Sequence, residues 1–232
     1  MPSASTLSAA RVAARKFALA ALVGFMSAPA LYVTACAAAA DTGRADAGPG
    51  LLNPAEEEPG LQVGDRAPEG LLRDPDAETV ALRDLYAGQP VVLVFYRGGW
   101  CPYCTRDLRD WESGIDDFNA AGARVIAVSM ETPEHALATA SDNDLSYDVL
   151  VDETGHLTRA FRLGFALSDD TIARYEGFGI NLDSRNASGQ WVLPAPAVYV
   201  IDPDGVIRYA EADWDYLQRA GYADALETVR GL

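Results

Sequence analysis

Cys101 and Cys104 are separated by two residues in a chain of 232 residues that has only three cysteines. Two thiols at this spacing either hold zinc together with a second pair of ligands or cycle between dithiol and disulfide. The sequence has no second Cys-x-x-Cys and no histidine near the first, which argues against zinc. What surrounds the pair points to redox chemistry. Val91 to Tyr96 is a run of branched and aromatic residues and reads as a buried central strand. Arg97-Gly98-Gly99 breaks it, since paired glycines permit backbone angles other residues avoid. Pro102 suits the first turn of a helix, and Leu108 and Trp111 continue with helical spacing. Cys101 therefore lies where a strand hands over to a helix, at the positive end of the helix dipole and facing unpaired backbone N–H groups. That environment favours thiolate over thiol, and the thiolate is the reactive species. Trp100 precedes the first cysteine and either covers it or packs in the ordinary way. Tyr103 is a spacer residue that tunes the potential of the pair.

The segment resembles the active site of the thioredoxin superfamily. The longer string Phe95-Tyr96-Arg97-Gly98-Gly99-Trp100-Cys101-Pro102-Tyr103-Cys104 resembles a peroxiredoxin-like branch of the alkyl hydroperoxide reductase/thiol-specific antioxidant family. Supporting pieces are Val63-Gly64-Asp65-Arg66-Ala67-Pro68 and the late stretch from Ala197 to Arg208, so the likeness runs from about Leu61 to the C-terminus. The resemblance implies that Cys101 attacks a peroxide O–O bond and becomes a sulfenic acid, that Cys104 condenses with it to a disulfide, and that an external thioredoxin-like or other dithiol resets the pair. It implies no cofactor. Arg97 would supply positive charge near the thiolate or a developing oxyanion.

The sequence also departs from that family. A Pro-x-x-x-Thr-x-x-Cys pattern would place threonine where Gly98 stands and proline where Val94 stands, and an arginine before the late strand where Leu193-Pro194-Ala195-Pro196-Ala197 is found. A proline such as Pro196 before that strand is instead a thioredoxin-like feature. Two alternatives to the peroxidase therefore stay open: a dithiol–disulfide exchanger acting on exported proteins through the same cysteines, and a lipoprotein that only binds a partner. Asp215-Tyr216-Leu217-Gln218-Arg219 resembles a feature recurrent in this branch and packs near the redox loop or forms a surface ion pair.

Composition narrows the partners. The net charge is −16 and Lys16 is the only lysine, which leaves no basic cluster for nucleic acid. Arg11, Arg15 and Lys16 precede a mostly apolar run, Phe17 to Val33, and Val33-Thr34-Ala35-Cys36 fits a bacterial lipoprotein cleavage box. Residues 1–35 are expected to be a signal peptide and Cys36 a lipidation site, tying the mature protein to a membrane of the bacterial cell envelope or periplasm. An ordinary signal cleaved after Ala37–Ala40, or an uncleaved anchor, is the alternative. With Cys36 assigned, no cysteine is left for a structural disulfide. Residues 36–60 are rich in Ala, Gly, Pro and acidic residues and are expected to be a flexible linker.

Residues 61–232 are expected to form one α/β domain of thioredoxin-like fold, a central mixed β-sheet with helices on both faces and an N-terminal hairpin extension. Its expected elements are a hairpin turning at Asp74-Pro75-Asp76, a helical turn from Leu82, the central strand, and a redox helix running to Ala121. There follow strands over 123–130 and 147–151, helices over 133–142, 156–163 and 169–177, and strands over 190–193 and 197–201. A turn at Asp202-Pro203-Asp204-Gly205, a strand over 206–210 and a helix from Tyr222 close the chain. His135 and His156 are expected on outer helical positions, Asn186-Ala187-Ser188 in a loop, and Phe161, Phe165 and Phe178 in the core.

Overall fold

The computed structural model of the protein describes residues 49–76 and 78–232. The signal peptide, Cys36 and most of the expected linker lie outside the described residues.

Among the described residues the elements follow in the order β1 (Leu71–Arg73), β2 (Thr79–Ala81), α1 (Leu82–Tyr86), β3 (Val91–Phe95), α2 (Pro102–Ser113), α3 (Ile115–Ala120), β4 (Arg124–Ser129), α4 (Pro133–Asp142), β5 (Asp148–Val151), α5 (His156–Ala160), β6 (Gly164–Ala166), α6 (Asp169–Gly177), α7 (Leu182–Arg185), β7 (Val192–Pro194), β8 (Ala197–Ile201), β9 (Ile207–Ala212) and α8 (Tyr222–Arg230). Seven strands form one mixed sheet in the order β2-β1-β5-β4-β3-β8-β9. β3 lies inside it, between β4 and β8, parallel to β4 from Val91↔Arg124 to Phe95↔Val128 and antiparallel to β8 from Val91↔Ile201 to Phe95↔Ala197. A strand buried on both faces must be apolar throughout, and every residue of β3 is buried.

Alternation sends its side chains to two cores. Val92, Val94 and Tyr96 pack with Leu108 and Trp111 of α2, Phe118 of α3 and Leu226 of α8. Val91, Leu93 and Phe95 face Leu82 and Leu85 of α1 and Leu157 and Phe161 on the other side. The expected fold is therefore observed, including the β1–β2 hairpin at the N-terminal edge.

Three expectations need correction. The redox helix does not run unbroken to Ala121: it stops at Ser113, and α3 restarts after Gly114. A Cβ at Gly114 would sit 2.8 Å from the Tyr222 ring, so a glycine marks the bend where α8 packs. The helix expected over 156–163 ends at Ala160, because Arg162 takes a positive φ of 58° and Gly164 opens β6. The stretch before residue 60 is not a free linker from Leu52 onward. The Leu52 N–H donates to the Gly164 carbonyl at 2.9 Å and the Gly60 N–H to the Arg162 carbonyl at 2.8 Å. The Trp214 indole N–H donates to the Glu57 carbonyl at 2.7 Å. Composition alone reads such a segment as a spacer, whereas its backbone donors find carbonyls on the 162–164 turn.

Candidate active site

The redox loop is held from below by one buried carboxylate. After β3 the Tyr96 N–H still donates to the Val128 carbonyl at 3.0 Å, and then the chain leaves the sheet. Gly98 takes φ +148°, and a Cβ there would collide with the Trp100 indole nitrogen. Glu131, just beyond β4 and fully buried, accepts the Gly99 N–H at 2.9 Å. It also accepts the hydroxyls of Tyr96 and Thr139, each at 3.4 Å. Burial pushes the Glu131 carboxyl above the usual range, opposed by the Gly99 N–H. The loop is thereby fixed relative to the helix it feeds. Cys101 is the N-cap of α2 and Pro102 its first residue, as the strand–helix reading expects.

The two sulfurs are electrostatically unequal. Cys101 is 3 % exposed and Cys104 fully buried, and both are free thiols. A hydrogen bond from the Cys104 thiol lowers the Cys101 thiol from its ordinary 9.0 to about 6; burial opposes this, while the Cys104 N–H and the Arg97 and Arg219 cations assist. Cys104 moves the opposite way, well above the ordinary value, chiefly through desolvation and then through its donation to Cys101. The first sulfur is thus a thiolate near neutrality and the second a thiol that shares its proton with it.

Two arginines flank the pair. The Arg97 guanidinium is buried beneath a roof of aromatic rings: it lies 4.4 Å from the Tyr216 ring centroid and 5.4 Å from that of Trp100, and it donates to the Tyr175 hydroxyl. Burial lowers its affinity for the proton and the two sulfurs raise it. Arg219 brings its Nη2 to 3.3 Å from Cys104 Sγ. Both Tyr216 and Arg219 belong to an irregular strap over residues 213–221, between β9 and α8. Beside Arg97 opens a cleft of about 340 Å³, walled by Phe165, Leu167, Tyr175, Pro196, Trp214 and Tyr216. Its outer wall comes from the excursion between α5 and β8, where β6 pairs with β7 in a separate two-stranded sheet.

The structure thus brings together Arg97, Gly98, Gly99, Trp100, Cys101, Pro102, Tyr103, Cys104 and Pro196. Trp100 packs edge-on to Tyr175 at 5.4 Å, and Tyr103 is 41 % exposed against Tyr216 at 5.5 Å. The histidines sit elsewhere: His135 contacts Thr132 at the start of α4, and His156 contacts the Glu69 carbonyl. Phe161 is core as expected. Phe165 is not; it lines the cleft, and Phe178 is 73 % exposed. The Asn186 side chain is buried, donating to the carbonyls of Gln190 and Val192, because it fastens α7 to β7. Sequence reasoning misses Glu131, Tyr175 and Asp107. A lone carboxylate directly after the apolar β4 is a usable signal for Glu131. Of the two readings of the Asp215–Arg219 stretch, the structure favours packing at the redox loop. Among the described residues, no group of three or more His, Cys, Asp and Glu side chains gathers as metal ligands would.

A mixed sheet with a dithiol at the junction of an inner strand and the following helix defines the thioredoxin-like class. Within it the chain belongs to the AhpC/TSA family, whose profile matches residues 63–210. Peroxiredoxin Bcp of Escherichia coli is 33 % identical over 101 residues, covering 44 % of this chain and 64 % of its own length. The chloroplastic peroxiredoxin Q of Gentiana triflora is 28 % identical over 148 residues, covering 64 % of this chain and 58 % of its own. The matches thus span about three-fifths of these relatives. In structure the chain is similar to peroxidoxin BcpB from Mycobacterium tuberculosis, with TM-score 0.60 at 20 % identity over 74 % of this chain and 98 % of that one. A peroxiredoxin-like protein from Aquifex aeolicus gives TM-score 0.52 at 20 % identity, over 75 % and 89 %.

Proposed function

We propose that the protein is a thiol peroxidase that reduces hydrogen peroxide or organic hydroperoxides through Cys101 and is recycled by a thioredoxin-like or other external dithiol. The observation that carries this reading is the placement of the sulfurs: Cys101 at the N-cap of α2, where the Cys104 thiol one turn behind it and the Arg97 and Arg219 cations favour its thiolate. Membership in the AhpC/TSA family, and the names of the peroxiredoxin relatives, favour peroxide over a protein disulfide as the first oxidant. The Cys101 thiolate attacks one peroxide oxygen; the S–O bond forms as the O–O bond breaks. The departing alkoxide or hydroxide takes up a proton, leaving alcohol or water and a sulfenic acid. Gly98 offers no hydroxyl to the peroxide, and Arg97 is the group that supplies positive charge beside the reacting oxygens. Cys104 then closes the disulfide with loss of water. Its place one turn along the same helix gives a high effective concentration, so capture outruns over-oxidation. The apolar walls of the neighbouring cleft suit the alkyl part of an organic hydroperoxide.

Peroxide consumption with an excess dithiol tests this. Native protein is expected to turn over, Cys101→Ser to be inactive, and Cys104→Ser to give a single turnover ending in a sulfenic acid that dimedone captures. Dithiol-dependent peroxide loss that survives Cys101→Ser contradicts the reading.

We further propose that the protein is exported and held at a bacterial membrane by lipid on Cys36. The basic start, the apolar run and the Val33–Cys36 box support this. Among the described residues no helix is long and apolar enough to cross a membrane. Intact-mass measurement of protein from membranes is expected to begin at a diacylated Cys36; an unmodified chain retaining residues 1–35 contradicts the proposal.

A further inference from the structure

The least reactive group in the site is the one that must close the disulfide. Cys104 is fully buried and held as a thiol, yet its sulfur attacks as an anion. Its proton therefore has to leave toward another buried group. Asp107 stands one turn further along α2, on the same helical face, and is itself buried. Arg219 joins the two, with Nη2 at 3.3 Å from Cys104 Sγ and Nη1 at 3.6 Å from Asp107 Oδ2. Asp107 and Arg219 also line a partly open crevice of about 10 Å³ with Pro196, Ala197, Glu211 and Asp213. The neighbouring position Asp110 is exposed, so a carboxylate buried at 107 has no solvation reason to be there.

We propose that Asp107 accepts the proton of Cys104 during disulfide closure and supplies one to it when the disulfide is reopened, with Arg219 positioning carboxyl and thiol on a single guanidinium. The inference rests on the pair forming a disulfide during turnover, whatever the first oxidant. In closure the Cys101 S–O bond breaks as the S–S bond forms; the Cys101 sulfur is reduced and the Cys104 sulfur oxidised, by one electron each. The Cys104 proton passes to the Asp107 carboxylate and then to the departing hydroxide, which leaves as water. In reopening, a thiol of the external dithiol gives up its proton to Asp107 as its sulfur attacks Cys101, the S–S bond breaks, and Cys104 departs with that proton from Asp107. The carboxyl suits such a shuttle, because burial raises it from 3.8 to about 7, opposed by Arg219 and reinforced by Cys104. The titratable and charged groups facing it are Arg219 and Asp213 from the strap, Glu211 of β9 across the shared crevice, Cys104, Arg106 and Asp110 from its own helix, and Tyr147 ahead of β5.

Single-turnover fluorescence of the full chain separates the two steps. Mixing with hydrogen peroxide gives a concentration-dependent phase for Cys101 oxidation, then a concentration-independent phase for closure, assigned by its absence in Cys104→Ser. A small disulfide such as oxidised glutathione gives the same second step from a mixed disulfide. The expected result is a closure phase in Asp107→Asn slower by about a hundredfold, with its rise through pH 7 flattened, under both oxidants. Asp107→Glu, which keeps an ionisable group, is expected to recover much of the rate. Closure in Asp107→Asn at the native rate and with the native pH profile overturns the proposal while leaving a fast peroxide phase intact. A native protein that reacts with the disulfide but not with peroxide overturns the peroxidase reading instead, and a slow Asp107→Asn closure there still supports the proposal. Should the asparagine variant not fold, the pH midpoint of closure in Asp107→Glu decides: a midpoint moved from the native one supports the role, an unmoved one overturns it.

Discussion

Cys101 and Cys104 are the same residue type three positions apart, and the site makes them opposites. The difference comes from a hydrogen bond that runs one way. Cys104 donates, so the proton stays with the deeper sulfur and the charge with the shallower one. Iodoacetamide alkylation of Cys101 is expected to titrate with a midpoint near 6. In Cys104→Ala, which removes the donor, the midpoint is expected to climb toward the ordinary 9.0, whereas Cys104→Ser, with a hydroxyl donor, is expected to hold it lower. Equal midpoints in all three proteins would show that the helix terminus and arginines act alone. Asp107 leaves a second signature, in stability. Its folded-state value lies above its unfolded one, so the native state binds the proton more tightly and loses stability as pH rises from about 4 to 7. Between pH 5 and 8 native protein is expected to lose about 2–3 kcal/mol that Asp107→Asn does not lose. Urea melts at the two pH values check it, and parallel slopes in the two proteins would contradict it.

At the scale of elements, the helix terminus that positions Cys101 is legible in sequence because it is local chemistry: an apolar run, two glycines and a proline at the first helical position. The two histidines likewise fall away from the redox site, as their helical positions imply. What is not legible depends on distant chain. Glu131 reaches the loop from 32 positions away, and Tyr175 belongs to α6, which has no fully buried residue to announce its packing. β6 and β7 pair only with each other over three residues, too short for a periodic signal. The Gly98 departure also gains a physical meaning. Restoring the family threonine at this position drives a branched Cβ into the Trp100 indole at a φ of +148°. Gly98→Thr is therefore expected to cost about 1–3 kcal/mol in a urea melt and to lower peroxide reactivity. A variant that is as stable as native and faster with peroxide would show that the missing hydroxyl, and not the loop geometry, limits the site.

Over the whole molecule, the catalytic loop is enclosed by pieces from both ends of the domain. The strap before α8 supplies Arg219 and Tyr216, and its Trp214 in turn holds the Glu57 carbonyl and packs edge-on to Phe165 at 5.4 Å. The stretch before Leu61 thus bears on one wall of the cleft. A chain starting at Leu61 is expected to be less stable than one starting at Pro49 by about 1–3 kcal/mol, since several backbone hydrogen bonds and the burial of Pro59 and Gly60 are lost. Indistinguishable denaturation midpoints would mean that the segment adds nothing. Whether this enclosure makes one sulfur fast with peroxide is decided by stopped-flow mixing of reduced protein with hydrogen peroxide, beside a small disulfide at the same pH. The expected second-order rate constant for peroxide exceeds that of an ordinary free thiol by orders of magnitude and exceeds the disulfide rate as well. A peroxide rate no greater than that of a free thiol would refute the peroxidase reading.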